Sequence, residues 1–266
     1  MSLAIDTAVR VTAAMLGGAI ALSSSELLVE YDRLEDRDLL GWDVGRYNTK
    51  WTMKGALGKI AEFIFNAKGF RLLVILRLAT GIMMTAMAFR GHVGAWIFST
   101  AFIETFLIAV RSAFGLDGAF QMNLVALAGL WINAVSPVGS VAASAGLWFI
   151  TAQLGLSYVI AGLTKLSSAE WRSGSAVSGI IGTRIYGHEA LFRLLKNRHA
   201  LAFMMAWSVM IFETSIGPLS MFGGKATALA LMMGVLFHLL NAIFMGLNGF
   251  LISFLAAYPI AWSLLA

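Results

Sequence analysis

With 266 residues, 59% of them hydrophobic and only 12% charged, and a mean hydropathy of +0.81, the chain lies outside the range of soluble domains. It reads as an all-α polytopic membrane bundle, a single transmembrane domain over 1–266. It has no cysteine, which excludes thiol catalysis, thiolate metal sites and disulfides. The formal charge of +5 comes without a Lys/Arg block interleaved with aromatics, so nucleic-acid binding is set aside and the basic excess is read as an orientation signal.

Apolar runs near twenty residues, enough at ~1.5 Å per residue to cross about 30 Å of hydrocarbon, predict eight spans. In chain order these are 9–28, 71–89, 93–110, 119–136, 141–164, 200–221, 226–245 and 249–265. The first is read as a retained helix and is the weakest, because Ser23, Ser24 and Ser25 sit at its end. Between the first and second spans lies a polar connection, 29–70, with seven basic and seven acidic residues. It contains the turn-rich piece LLGWDVGRYNTKW and then an amphipathic run from Lys54 to Phe70, expected to lie along the interface. The second polar connection, 166–199, has five basic and two acidic residues and holds Trp171 and a basic segment from Arg193 to Arg198.

Fifteen of the nineteen Lys and Arg residues fall on the face shared by these two connections, against Arg10, Arg90 and Lys225 on the other. The positive-inside bias makes the first face cytoplasmic, and the chain is expected to be an integral protein in contact with membrane lipids, with the bacterial cytoplasmic membrane as its expected location.

Within the spans, polar residues mark candidate sites. Arg77 and Glu104 share a depth of about 9 Å below the lysine-bearing face, and a structural ion pair between their two helices is the expectation. Asp117, Gln121 and Asn123 start the fourth span in the same membrane half. The fifth ends in Lys165, and an ammonium at the edge of hydrocarbon is either snorkelling to the head groups or functional. Tyr158 lies about 20° from Lys165 on the same helix face. Glu213 heads the pattern Glu213-Thr-Ser-Ile-Gly217, whose glycine permits close helix approach. His238, Asn241, Met245 and Asn248 fall within about 80° on one helical wheel, a stripe that is either packing or part of a site. The remaining histidines, His92, His188 and His199, lack metal-ligand spacing, so no metal is expected.

Three segments resemble a known family. YVIAGLTKLSSAEWRSG, which contains Tyr158 and Lys165, is similar to a segment of vitamin K-dependent γ-glutamyl carboxylases in which a span ends in a lysine-leucine pair followed by a tryptophan and a glycine. FHLLNAIFMGLNGFLISFLAAYP, from Phe237 to Pro259, resembles a second carboxylase segment, and Glu213-x-Ser-x-Gly217 stands at a similar spacing before His238. The matches cover about residues 70–265 and identify the chain as resembling the horizontally transferred transmembrane family. That family includes those carboxylases and the membrane protein B of sporulation-delaying toxin maturation.

The resemblance implies a general base at Lys165 that deprotonates a reduced quinone, vitamin K hydroquinone or menaquinol. Dioxygen then turns the quinol into a strong base, which removes a γ-proton from a peptide glutamate, and the carbanion captures carbon dioxide. His238 would join Lys165 as a catalytic residue, with Tyr158, Asn241, Met245, Glu213 and Gln121 around the quinol or substrate. Desolvation disfavours an ammonium relative to the neutral amine that a base requires. Two departures stand against the full chemistry: LDGAFQMNL lacks the histidine that the carboxylases carry there, and the large soluble domain that captures their protein substrates has no counterpart. The lysine side of the carboxylases also faces the lumen, opposite to the orientation that the charge bias predicts here.

Three functions therefore compete. One is a quinol-using lyase-type enzyme that modifies a peptide. The second is a non-enzymatic membrane partner in the maturation, export or immunity of a secreted peptide, working with an accessory protein. The third is a small quinone-linked oxidoreductase subunit.

Overall fold

The computed structural model describes residues 3–30, 41–47, 55–112 and 117–266. Among them there is no strand, and the helices in chain order are α1 (Leu3–Val29), α2 (Trp42–Gly45), α3 (Gly55–Phe65), α4 (Ala67–Phe89), α5 (Ala95–Arg111), α6 (Gly118–Val135), α7 (Val141–Ser167), α8 (Ala169–Ser173), α9 (Ser175–Ile181), α10 (Glu189–Lys196), α11 (His199–Leu219), α12 (Gly224–Met245) and α13 (Asn248–Leu265). Seven of these, α1, α4, α6, α7, α11, α12 and α13, are long and apolar enough to cross a membrane. The expected third span corresponds to α5, whose 17 residues would reach about 25 Å, at the short end for a crossing. The chain is an all-α helical bundle of the integral membrane type.

Helix is the only open secondary structure that satisfies its own backbone in hydrocarbon, and the polar side chains in these spans follow the same rule. Ser24 and Ser25 donate to the carbonyls of Ile20 and Ala21 one turn earlier, at 2.7 and 2.9 Å. The serines that make the first span look weak are thus accommodated within α1, which extends from residue 3 to residue 29.

Helix boundaries follow local capping. Asn66 Oδ1 accepts from the Gly69 N–H at 2.9 Å, so the amphipathic run breaks at Asn66 and α4 starts four residues before the expected 71. Its first part, α3, is held by Trp42, whose indole donates to Glu62 Oε2 at 2.9 Å and packs 4.8 Å from Phe65. The expected start at Lys54, and residues 39–40 and 48–51 of the turn-rich piece, lie outside the described residues. Asp117 caps α6 by accepting from the Phe120 N–H, and Gly246, at φ 71°, ends α12 in the left-handed conformation.

The helices gather into two compact units, Met1–Leu147 and Trp148–Ala266, with the boundary inside α7. In the first unit α1 lies against α4, and Gly17 and Gly81 face each other so closely that a Cβ on either would meet the other's carbonyl oxygen. In the second unit α7 and α11 meet at Gly162, where a Cβ would run into the backbone of Thr214 and the side chain of Glu213. Gly217 also lies against α7, at Gly155 and Val159.

Candidate functional site

The contact of α7 with α11 at Gly162 places Lys165, one turn further along α7, beside Glu213. Lys165 Nζ donates to Glu213 Oε2 at 2.7 Å and to Oε1 at 2.9 Å. The side chains are only 22% and 5% exposed, so this is an inward pair and not a lysine reaching to head groups. Ser168 turns the chain after α7, accepting from the Trp171 N–H at 3.3 Å. The turn brings the Trp171 ring back over the ammonium, with Nζ 5.2 Å from its centroid. Two of the three N–H bonds of Lys165 point to one carboxylate, and an indole face covers the amine.

Two turns back on α7, the Tyr158 hydroxyl lies 2.6 Å from His238 Nε2 on α12 and 2.7 Å from the Tyr258 hydroxyl on α13. Three helices are thereby joined by one hydrogen-bonded chain, with Tyr158 in the middle. All three side chains are buried, and an aromatic shell surrounds them. The Phe254 ring is 4.7 Å from His238 and 5.5 Å from Tyr158, and the Phe212 ring is 5.8 Å from Tyr158. His238 Nδ1 is buried with no hydrogen-bond partner. Gly234 makes the room for this chain, because a Cβ there would collide with the Tyr258 hydroxyl.

Of the residues singled out from sequence, the fold brings Lys165 to Glu213 and Tyr158 to His238. Asn241 is partly buried one turn after His238. Met245 packs on the cluster of Val177, Ile181, Leu195, Ala202, Ala206 and Met210, which makes it a packing residue of α9 to α11. Gln121 is exposed and belongs to the first unit. Tyr258 is the member that sequence reasoning missed; its only signal was a phenol inside an apolar span, next to Pro259.

The first unit holds a separate polar cluster. The Arg77 guanidinium, fully buried, donates through Nε to Thr105 Oγ1 and through Nη1 to Ser23 and Ser24, each at 3.0 Å, and packs on the Phe120 ring at 5.1 Å. Glu104 accepts from Thr80 at 3.2 Å. In place of a direct bond between Arg77 and Glu104, each is bonded to hydroxyls, and Arg77 Nη2 and Glu104 Oε2 are left without hydrogen-bond partners. The hydroxyls of Ser23 and Ser24, on a helix far away in sequence, supply what depth alone assigned to Glu104.

A small cavity of about 30 Å³ borders Tyr158 among α7, α11, α12 and α13, lined by Thr151, Gly155, Ile216, Ser220, Leu231 and Ala261 among others. Benzene needs an apolar cavity of about 150 Å³, so this one has room for a single small molecule such as water and not for a ring.

The HTTM domain family matches residues 131–264, half of the chain, and the chain belongs to that family. The match takes in α7 to α13 almost entirely, and with them both the Lys165–Glu213 pair and the tyrosine-histidine chain. No curated protein and no solved structure matches the chain.

Proposed function

We propose that the protein is a carboxylase-like integral membrane enzyme that modifies a peptide, with Lys165 and Glu213 as its proton-exchanging pair. The observation that carries this reading is an amine and a carboxylate 2.7 Å apart, shielded from solvent at the end of α7. Desolvation makes such an ion pair costly. Passing the proton from Nζ to Oε2 leaves a neutral amine beside a neutral acid, with no charge left uncompensated in the low-dielectric interior. The amine then has a lone pair with which to accept a proton, and the ammonium that re-forms is balanced by the anion left on the proton donor, while Glu213 remains a neutral acid 2.7 Å away.

In the related carboxylases a reduced isoprenoid quinone supplies the reducing power, and the same class of cofactor is proposed here. The unpartnered Nδ1 of His238 and the Phe212 and Phe254 rings suit a polar aromatic head group in kind. The cavity beside Tyr158 does not fit its ring.

The small cavity and the pairing of Lys165 with Glu213 favour a second reading, a non-enzymatic membrane partner in the maturation, export or immunity of a secreted peptide, in which the same contacts serve as scaffold. One experiment separates them. Protein reconstituted with reduced quinone, bicarbonate and a candidate peptide should add one carboxyl group to a peptide glutamate, read by mass spectrometry, and copurified quinone should be extractable from the preparation. Lys165→Ala should lower the rate by about 10²-fold or more, as for loss of a general base. Unchanged carboxylation in that variant removes Lys165 from the mechanism. No carboxylation and no extractable quinone with any peptide favours the partner reading.

A further inference from the structure

Between α9 and α10 the chain closes a short loop: the His188 N–H donates to the Ile181 carbonyl at 3.2 Å and the Tyr186 N–H to Thr183 Oγ1 at 3.1 Å. An open hollow of about 320 Å³ lies against this loop, bordered by Arg184, Glu189 and Phe192. Arg184 is exposed, and no ion pair or hydrogen bond engages its guanidinium among the described residues. The only carboxylate at the hollow, Glu189, lies 3.7 Å from Arg193, so its charge is met from within α10. Arg193 and Lys196 project from the same face of α10 as Glu189, within about 60° on the helical wheel. Over residues 172–198 five exposed cations, Arg172, Arg184, Arg193, Lys196 and Arg198, outnumber Glu170 and Glu189. The unmet charge lining the hollow is therefore positive, that of Arg184.

The same loop carries an apolar edge that a soluble anion would not use. Ile185 is 81% exposed and Tyr186 42%, whereas Leu191, Phe192 and Leu195 turn inward onto the cluster of α9 and α11. The span α11 begins at His199, three residues after α10 ends, so loop and helix lie where a span leaves the hydrocarbon. Tyrosines favour that level, and an isoleucine beside a free arginine there meets a ligand with an anionic head and an apolar body.

We infer that this hollow binds the head group of an anionic phospholipid, with the phosphate on Arg184, flanked by the Arg193 and Lys196 face, and with Ile185 and Tyr186 against the start of the acyl chains. The site is separate from the Lys165–Glu213 pair and does not depend on the activity proposed for it.

Native mass spectrometry of the full chain in detergent, titrated with phosphatidylglycerol or phosphatidylcholine, tests the assignment. Wild type should retain phosphatidylglycerol in preference to phosphatidylcholine. Arg184→Gln should weaken phosphatidylglycerol binding about fivefold, the effect of one cation at an anionic surface, and leave phosphatidylcholine unchanged. Lys225→Gln, an exposed cation at the opposite end of α12, should change neither. Equal retention of the two lipids, an unaltered preference in Arg184→Gln, or the same loss in Lys225→Gln would each overturn the site. Displacement of phosphatidylglycerol by an equal concentration of inorganic phosphate would show a soluble-anion site instead. Arg184 and Lys225 are both exposed, so neither substitution removes a packed side chain, and a preserved far-ultraviolet dichroism spectrum confirms it.

Discussion

A carboxylate buried to 5% exposure tolerates its charge only because Lys165 meets both of its oxygens. Removing one partner leaves the other uncompensated. Lys165→Ala and Glu213→Ala should each destabilise the protein by about 3 kcal/mol, measured by thermal or denaturant unfolding in detergent. The double variant Lys165→Met/Glu213→Leu should recover most of that loss, since a well-packed apolar pair replaces an ion pair at little cost. If the double variant is as unstable as the singles, the pair contributes more than mutual neutralisation. Recovered stability without recovered carboxylation assigns the two residues to chemistry. Tyr258→Phe removes one hydroxyl and leaves the bond between Tyr158 and His238, so a cost of about 1 kcal/mol is expected, together with a shifted His238 ring resonance in nitrogen NMR. Lys165, Glu213, Tyr158 and His238 were all legible in the sequence, because each is a polar group in or at the end of an apolar run. Their partners were not, since depth along a helix is read from residue number whereas lateral direction depends on how the helices pack. Tyr258 and the hydroxyls around Arg77 were lost for that reason.

At the scale of elements, glycines decide where the helices touch. Gly162 brings α7 against Thr214 and Glu213, and the ion pair follows one turn later. Gly162→Leu should part α7 from α11, cost about 1 to 3 kcal/mol by overpacking, and leave Lys165 reactive toward amine-modifying reagents that spare the wild-type residue. Continued protection of Lys165 in that variant would show that the pair forms without the close approach. Gly234→Ala should displace the Tyr258 hydroxyl and reproduce the Tyr258→Phe spectrum at His238. The extents of the long helices after α1 were legible to within four residues, because twenty-residue apolar runs leave little freedom, whereas α1 begins six residues before the expected 9. The break at Asn66 was not, since an asparagine cap inside a continuous amphipathic pattern signals an end only through its bond to Gly69.

At the scale of the whole molecule, hydropathy alone defined a helical membrane protein, and the structure adds the division into two units. The position of that boundary is not marked in the sequence, because it falls inside one helix. Orientation rests on charge, and the absence of native cysteine makes it directly testable. Ser173→Cys should be spared by an impermeant thiol reagent in intact cells and react once the cells are opened, whereas Lys225→Cys should react in intact cells; the opposite pattern would reverse the assigned orientation. The indole of Trp171, lying over the Lys165 nitrogen, carries a further consequence. Its emission is sensitive to a cation against its face, so the difference in fluorescence between wild type and Trp171→Phe isolates one reporter among eight tryptophans. Removing the amine in Lys165→Met should shift that difference signal, and a turnover that moves the proton should make it rise and fall in time with the reaction. The fold thus places an optical gauge on its own hidden charge.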